Sequence, residues 1–479
     1  MRVLVHADQC LTETLRPEWE QLEWDGGTLP PDLDLVLIGW PPEDPAMAER
    51  LASAAATVGA PTAVWDTSDA GSAICPFGTH ADRLLLRSAD RRQDYQGADA
   101  RVLDPGVQPR MHNPMQPTGP RAPVAHLTSG PDPVLDELGS LLGQPERSER
   151  SYAVVVVRGS GTTPDRPLEL LAEGTVLVAS DPGVQAISSA VEVVDTPDTA
   201  AQRLRSLTTH AELRRRVAQV GVRRVLSEQS TTVAVDELLA DLALATPRRA
   251  RPVTAIVPTM RPSQIGHVLK FVARQSHGQV QLVLITHGFT ADADTAALAQ
   301  DLGVTDLHLI AADADLTLGS LMNLGVDAAD GEYVAKMDDD NFYGTHYLSD
   351  LLATFDFSGA EVAGKWAHFT HLEASGATFL RFPQAENRLT RLVQGGTLVL
   401  PRSVASALHF EDLPRRVDTT FLEKVASVGG TVYSADRYNF VSVRGAKVDG
   451  HTWKITDSEL LAKPSAELFF GEPWTHVDI

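Results

Sequence analysis

Short apolar runs alternate with amphipathic stretches along almost the whole chain, and that alternation limits the fold more than any other feature. Strand, helix, strand in succession closes a parallel pair through a right-handed crossover. In the first half, Val3-Leu4-Val5, Leu35-Val36-Leu37-Ile38, Thr62-Ala63-Val64-Trp65 and Leu84-Leu85-Leu86 read as buried strands. The alanine-rich stretch Ala46–Val58 reads as a helix between two of them. Residues 103–123 carry Pro, Gly and Asn and interrupt the pattern, so a loop or crossover is expected there. Strands resume at Tyr152–Val157 and Thr175–Ala179, and helices are expected over 197–207, 210–228 and 231–245. In the second of these, Arg214, Arg215, Arg216, Arg223 and Arg224 form a basic face, which reads as solvated.

Thr246-Pro247-Arg248-Arg249-Ala250-Arg251-Pro252 reads as a linker between a first domain, 1–245, and a second, 253–479. The second opens on the strand Val253–Val257. Helix (263–275), strand (280–285), helix (291–302), strand (306–310), helix (318–329) and strand (332–337) are expected to follow. The expected class is α/β in both halves.

Composition narrows the function. A formal net charge of -22 argues against non-specific binding to nucleic acid or to an anionic membrane. Two cysteines, Cys10 and Cys75, do not make a disulfide framework. The N-terminus turns polar too soon for a secretory signal, and no apolar run approaches the ~20 residues of a membrane helix. The chain reads as cytoplasmic, with peripheral attachment at the inner membrane face and homo-oligomerisation both allowed.

The chemistry concentrates where the last strand runs into Asp338-Asp339-Asp340. If strand geometry continues, Asp338 and Asp340 face one point and Asp339 turns away. Two hard oxygen ligands suit Mg²⁺ or Mn²⁺ carrying a diphosphate. A solvated acidic turn is the plainer alternative. Val257-Pro258-Thr259-Met260-Arg261-Pro262 ends the first strand of this half, at the edge where open α/β sheets bind ligands. Thr259 offers a hydroxyl there, and Arg261 suits a phosphate or a base. Gly319 and Gly325, around Asn323, permit close backbone approach, and Asn323 offers a polar contact to the cleft.

Together Val257-Pro258-Thr259, Asn323-Leu324-Gly325, Asp330-Gly331-Glu332-Tyr333 and Asp338-Asp339-Asp340 resemble the nucleotide-sugar half of inverting glycosyltransferases of the GT-A fold, the family-two group, over roughly residues 252–455. The resemblance implies a metal-dependent transfer from a nucleotide sugar, UDP-sugar favoured, to a hydroxyl acceptor. That acceptor is a cell-surface glycan, a glycopolymer or a secondary metabolite. It implies a metal on Asp338, Asp340 and His451. It implies donor contacts from Pro258, Thr259, Arg261, Asn323, Asp339, Gly395 and Gly396. Asp418 is implied as the catalytic base, although the family's Glu-Asp pair is here Val417-Asp418. As a residue alone, Asp418 also suits an N-cap of a helix over 419–427. Lys336, Trp366, His368, Arg388, Arg444 and Trp453 are further candidates for phosphate or acceptor contact. The Asp that often holds uracil after the second strand is missing, and His287 stands near that point.

Residues 1–245 resemble a shrunken, Rossmann-like glycosyltransferase of the GT-B type, similar to spore-maturation proteins. The resemblance rests on Pro61–Asp66, Tyr95–Pro105, Glu169–Ala179 and Ala211–Gly221. The stretch 124–165 is short for the usual second set of nucleotide-binding strands, and the implied role is to position the acceptor or build an oligomer, without transfer activity. Two rival readings stand beside this one. A nucleotidyltransferase on a similar fold would carry a Gly-rich loop after the first strand, and Val257–Arg261 has none. A non-catalytic glycan- or nucleotide-binding module is the other.

Overall fold

The computed structural model describes residues 1–69, 71–115, 122–127, 134, 152–157, 165–182, 184, 188–245, 251–445, 456–463 and 465–479. The chain divides into two compact units, 1–114 with 119–249, and 115–118 with 250–479.

The first unit holds two parallel sheets. Six strands, β1 (Arg2–His6), β2 (Glu20–Leu22), β3 (Leu35–Trp40), β4 (Thr62–Asp66), β5 (Arg83–Leu86) and β6 (Ala100–Val102), stand in the order β2-β1-β3-β4-β5-β6. Four more, β7 (Ala122–Leu127), β8 (Tyr152–Val157), β9 (Val176–Ala179) and β10 (Glu192–Val193), form the order β10-β9-β8-β7. Strand β7 begins inside the stretch expected as loop. Its Ala122 and Pro123 have poor strand propensity, and the parallel ladder with β8 supplies what propensity does not. The second sheet thus exists despite the short 124–165 stretch.

Helix 211–228 sends Val225 into the core of this second sheet, beside Val155 and Leu177. Its basic face is only partly solvated, since Arg214 donates to the Leu207 carbonyl at 2.6 Å. Helix 231–241 packs Ala234, Val235, Leu238 and Leu239 on β1, β3, β4 and β5 of the first sheet. It ends four residues earlier than expected, where Ala243 takes a positive φ of 55°.

The second unit is built on a mixed sheet of eight strands, ordered β13-β12-β11-β14-β20-β16-β21-β19. These are β11 (Val253–Thr259), β12 (Val280–His287), β13 (Leu307–Ala312), β14 (Tyr333–Lys336), β16 (Val362–Gly364), β19 (Arg388–Thr390), β20 (Val399–Pro401) and β21 (Val432–Ser434). The first four are parallel, and β20 runs against β14. A second sheet, β15-β22-β17-β18-β23, joins β15 (Phe342–Tyr343), β17 (His368–Leu372), β18 (Ala377–Arg381), β22 (Phe440–Arg444) and β23 (Ala466–Phe470).

Apolar clusters cover both faces of the large sheet. One gathers Val268, Leu269 and Val272 of helix 265–273 with Tyr343, Tyr347 and Phe440. The other gathers Leu321, Met322 and Val326 of helix 318–327 with Phe421 and Val425. Burial on both faces explains why β11 and β12 read as continuous apolar runs. Gly325 is fixed by packing: a Cβ there would sit 2.3 Å from Ile256 Cγ2, so helix 318–327 lies on β11 only because this position is bare.

Candidate active site

Strand β14 ends at Lys336, one residue earlier than expected, and Asp339 and Asp340 lie in a turn. Strand alternation therefore does not set their directions. Local hydrogen bonds do, and they split the three carboxylates into two groups.

Asp339 is buried and points back to β11. The Thr259 hydroxyl donates to its Oδ2 at 2.5 Å, and Arg261 Nε donates to the same oxygen at 3.1 Å. Arg261 Nη2 also bridges Asp339 Oδ1 and, at 2.9 Å, Asp340 Oδ2. Burial alone would lower the Arg261 pKa, but the bonds from Asp339 and the charge of Asp340 carry it upward. The side chain of Asp340 remains 27% exposed. Its pKa is raised, by burial first and then by the charge of Asp338, with Arg261 opposing.

Asp338 turns the other way. Lys336, at 3% exposure, donates to Asp338 Oδ1 at 2.7 Å and to the Gly395 carbonyl at 3.1 Å, and its ammonium lies 3.5 Å from Asp418 Oδ1. Burial works against the charge on Lys336, yet Asp338 and Asp418 raise its pKa overall. The Asp338 amide donates to the Tyr343 hydroxyl at 2.7 Å, and that hydroxyl donates to the Gly396 carbonyl at 2.8 Å. Gly395 and Gly396 are required by close approach. A Cβ on Gly395 would stand 2.1 Å from Asp418 Oδ2, and one on Gly396 would stand 2.5 Å from Asp338 Oδ2.

Asp418 opens the helix Val417–Ser427 from inside its first turn. The N-cap position belongs to Arg416, in the left-handed region with φ 62°, so the capping role considered for Asp418 is not the one it has. Its Oδ1 is buried without a hydrogen-bond partner, while the side chain as a whole is 28% exposed. Burial raises its pKa, Lys336 pulls it back down, and Asp338 adds a further rise. A carboxylate short of donors, held beside a lysine and against bare glycines, is placed to accept a proton.

Other expected residues fall elsewhere. Asn323 does not face the cleft as a free contact: its Nδ2 donates to the Phe410 carbonyl at 2.9 Å and its Oδ1 accepts from the Phe410 amide at 2.8 Å. It ties down the segment leading to Asp418. Gly319, as expected, admits a close backbone, since a Cβ would meet the Glu411 carbonyl at 1.7 Å. Lys336, expected as a phosphate contact, is committed to internal acceptors. Arg388 is exposed on β19, the edge strand, four places from β14, and the structure does not bring it to the acidic turn. Trp366 is half-buried and stacked on Phe382 at 4.3 Å between centroids. His368 is buried with its pKa lowered to about 3, by burial and then by Arg381, which makes it a neutral packing residue. Arg444 ends β22 and is buried. Pro258 is half-buried in β11 opposite Ile285. His451 and Trp453 lie outside the described residues.

Sequence reasoning missed Tyr343 and Asn341. Asn341 Nδ2 donates to Asp338 Oδ2 at 3.4 Å, and Asn341 Oδ1 accepts from the Val443 amide at 3.0 Å. The signal was present in Asn341-Phe342-Tyr343, directly after the acidic run. His287, at the end of β12, has Nε2 buried without a partner.

Residues 254–376 match the family Glycosyl transferase family 2, and residues 147–240 match the family Glycosyl transferase-like. No match is found among curated proteins. Among solved structures, the chain is similar to a mannosyltransferase (PcManGT) from Pyrobaculum calidifontis, in complex with GDP-Man and Mn2+. The identity is 16% over 40% of this chain and 56% of that one, with a TM-score of 0.32. It is also similar to TarS 1-349 of S. aureus in complex with UDP-GlcNAc, at 16% identity over 40% of this chain and 59% of that one, with a TM-score of 0.32. The chain thus spans less than two thirds of the length of these structures. The matched stretch of the second unit is thus similar to glycosyl transferase family 2, and that of the first unit to glycosyl transferase-like domains, each within an α/β fold.

Proposed function

We propose that the C-terminal unit carries the catalysis, as a metal-dependent inverting transferase moving a sugar from a nucleotide sugar to an acceptor hydroxyl. The observation that supports this best is Asp418, a partly exposed carboxylate ion-paired through Oδ1 with Lys336 and set with Oδ2 against Gly395. Asp418 takes the acceptor's proton as the acceptor oxygen bonds to the anomeric carbon. The bond from that carbon to the donor's diphosphate oxygen breaks with its electron pair, and the configuration inverts. Lys336 opposes the rise that burial gives the Asp418 pKa and holds that carboxylate near Asp338.

In this structure Asp338 and Asp340 turn to different partners, Lys336 and Arg261, and it is their donor chemistry, not a shared direction, that suits a divalent cation. Asp338 and Asp340 are hard oxygen ligands, partly exposed, and their mutual charge already raises Asp340. These two, with His451, are the residues proposed to hold Mn²⁺ or Mg²⁺. When bound, the ion neutralises charge on the departing diphosphate. Thr259, Arg261 and Asp339 are proposed for the nucleotide's ribose and phosphates, and His287 for its base. UDP is the favoured nucleotide, with a cell-surface glycan, a glycopolymer or a secondary metabolite as acceptor. The N-terminal unit is proposed as a non-catalytic partner that positions the acceptor or builds an oligomer.

Release of nucleoside diphosphate from a panel of nucleotide sugars with Mn²⁺ tests the reading. Wild type is expected to turn over one donor, and Asp338→Ala and Asp340→Ala to lose donor binding. No release from any donor, with binding unaltered in Asp338→Ala, sinks the transferase and leaves a binding module. Pyrophosphate formed from a nucleoside triphosphate and a sugar phosphate indicates a nucleotidyltransferase.

A further inference from the structure

A cavity of about 800 Å³ opens in the second unit on the side of helix 265–273, with Asp340 in its lining. This is the volume of a site for a small organic molecule, well beyond that of one ion. Helix 265–273 presents His267 and Lys270 to it, and Arg274 follows at the helix end. The three lie on one helical stripe by their spacing. Opposite in chemistry, Phe342 and Trp474 form an apolar wall, with ring centroids 4.8 Å apart, and the Arg274 guanidinium sits 5.2 Å from the Phe342 centroid.

The cavity sets two cations, Lys270 and Arg274, beside the carboxylates Asp340, Glu373 and Asp478. Among the described residues no carboxylate lies within salt-bridge distance of Lys270 or Arg274, although the chain carries a net charge of -22. Elsewhere this protein pairs its cations closely, as at Arg437 with Glu386 and Lys365 with Asp436. Of the carboxylates that also line the cavity, Asp478 is occupied by the Thr345 amide at 2.8 Å and Asp340 by Arg261. Glu373 is exposed.

We infer that this cavity receives a phosphate-bearing small molecule: Lys270 and Arg274 hold the phosphate, and Phe342 and Trp474 cover the apolar face of the group that carries it. A lysine supplies a point charge and an arginine a planar fork, a combination suited to a tetrahedral dianion. The inference rests on the transferase reading, because the lining Asp340 belongs to the proposed donor site.

The probe is 4-nitrophenyl phosphate, titrated calorimetrically without metal into the full chain. Saturable binding is expected, weakened roughly tenfold by Lys270→Ala with Arg274→Ala, a loss typical of charge-assisted bonds. Trp474→Leu is expected to weaken it several-fold, with the thermal transition unchanged in both variants. Inorganic phosphate and 4-nitrophenol, titrated separately, are expected to bind far more weakly than the probe. Equal binding of 4-nitrobenzoate overturns the phosphate assignment. Absence of probe binding, or binding that survives both variants, overturns the site. Donor turnover by wild type is read in a separate experiment, so failure of the transferase reading is visible apart from failure of this one.

Discussion

Both units place a carboxylate at the end of a parallel strand, and the two are treated in opposite ways. Asp66 ends β4 fully buried. It accepts from Arg91 Nη2 and the Tyr95 hydroxyl at 2.7 Å each, from the Ser68 amide at 2.9 Å and from the Ser68 hydroxyl at 2.5 Å. Every lone pair is used, and Tyr95 goes on to accept from the Cys75 amide. After β14, Asp338 and Asp340 are partly exposed. Asp340 has a raised pKa, as has nearby Asp418, whose Oδ1 has Lys336 only at 3.5 Å. A carboxylate at a strand end is therefore no sign of a ligand site. What matters is whether the protein has already satisfied it.

The largest expected effect breaks this contrast at the chemistry. Asp418→Asn keeps the shape and removes the base, so kcat for transfer should fall by about 10²–10⁴-fold. Donor binding, measured by thermal shift, should stay within a factor of a few. A variant retaining most of its kcat would remove Asp418 from the role. Next comes Asp66→Ala, which leaves the buried Arg91 with Asp94 and the Ser72 and Ala73 carbonyls as its partners. Breaking one side of a buried pair costs about 3–5 kcal/mol. Chemical denaturation of the full chain should show that loss in the first unit. Specific activity of the folded fraction should hold, and a loss of kcat instead would erase the distinction between the two carboxylates.

The pH dependence sharpens the comparison. Burial gives Asp418 and Asp340 raised pKa values in the folded state, so the folded protein holds protons there that the unfolded chain releases. Their contribution to stability is thus greatest at low pH. It is lost as pH rises from the ordinary carboxylate range through the raised folded values. Activity moves the other way, because a base must be ionised, and its acid limb should lie above the ordinary aspartate range. Asp418→Asn should flatten the stability change across that window, followed by thermal melts at stepped pH. An unchanged slope would show that burial does not set this titration.

Much of the fold was legible because buried parallel strands are long apolar runs, and β11, β12 and β14 appeared within a residue or two of their expected limits. Strand β7 was not legible, because Ala122 and Pro123 become strand only against β8. At the site, the Asp run, Thr259, Arg261 and the glycine pair were readable from residue type and order. Their partition was not. Side-chain direction in a turn depends on partners distant in sequence, such as Thr259 with Asp339 across 80 positions. The double role of Lys336 between Asp338 and Asp418 arises from β14 meeting a helix 81 residues later, which no local pattern encodes.

The smallest expected effect concerns Asn323, where sequence order suggested a ligand contact and the structure gives a brace. Both halves of its amide are spent on Phe410, and Phe410 stacks on Phe421 at 4.3 Å. Phe421 lies in the same helix as Asp418, three residues on. Asn323→Ala should therefore cost about 1–3 kcal/mol of stability, the scale of a buried backbone group left unpaired. A donor-contact role predicts a rise in the donor KM with kcat intact. The bracing role predicts the reverse: donor KM steady and kcat reduced a few-fold, as Asp418 loses its fixed position. Steady-state kinetics with the donor varied separates the two, and a change confined to donor KM would return Asn323 to the cleft.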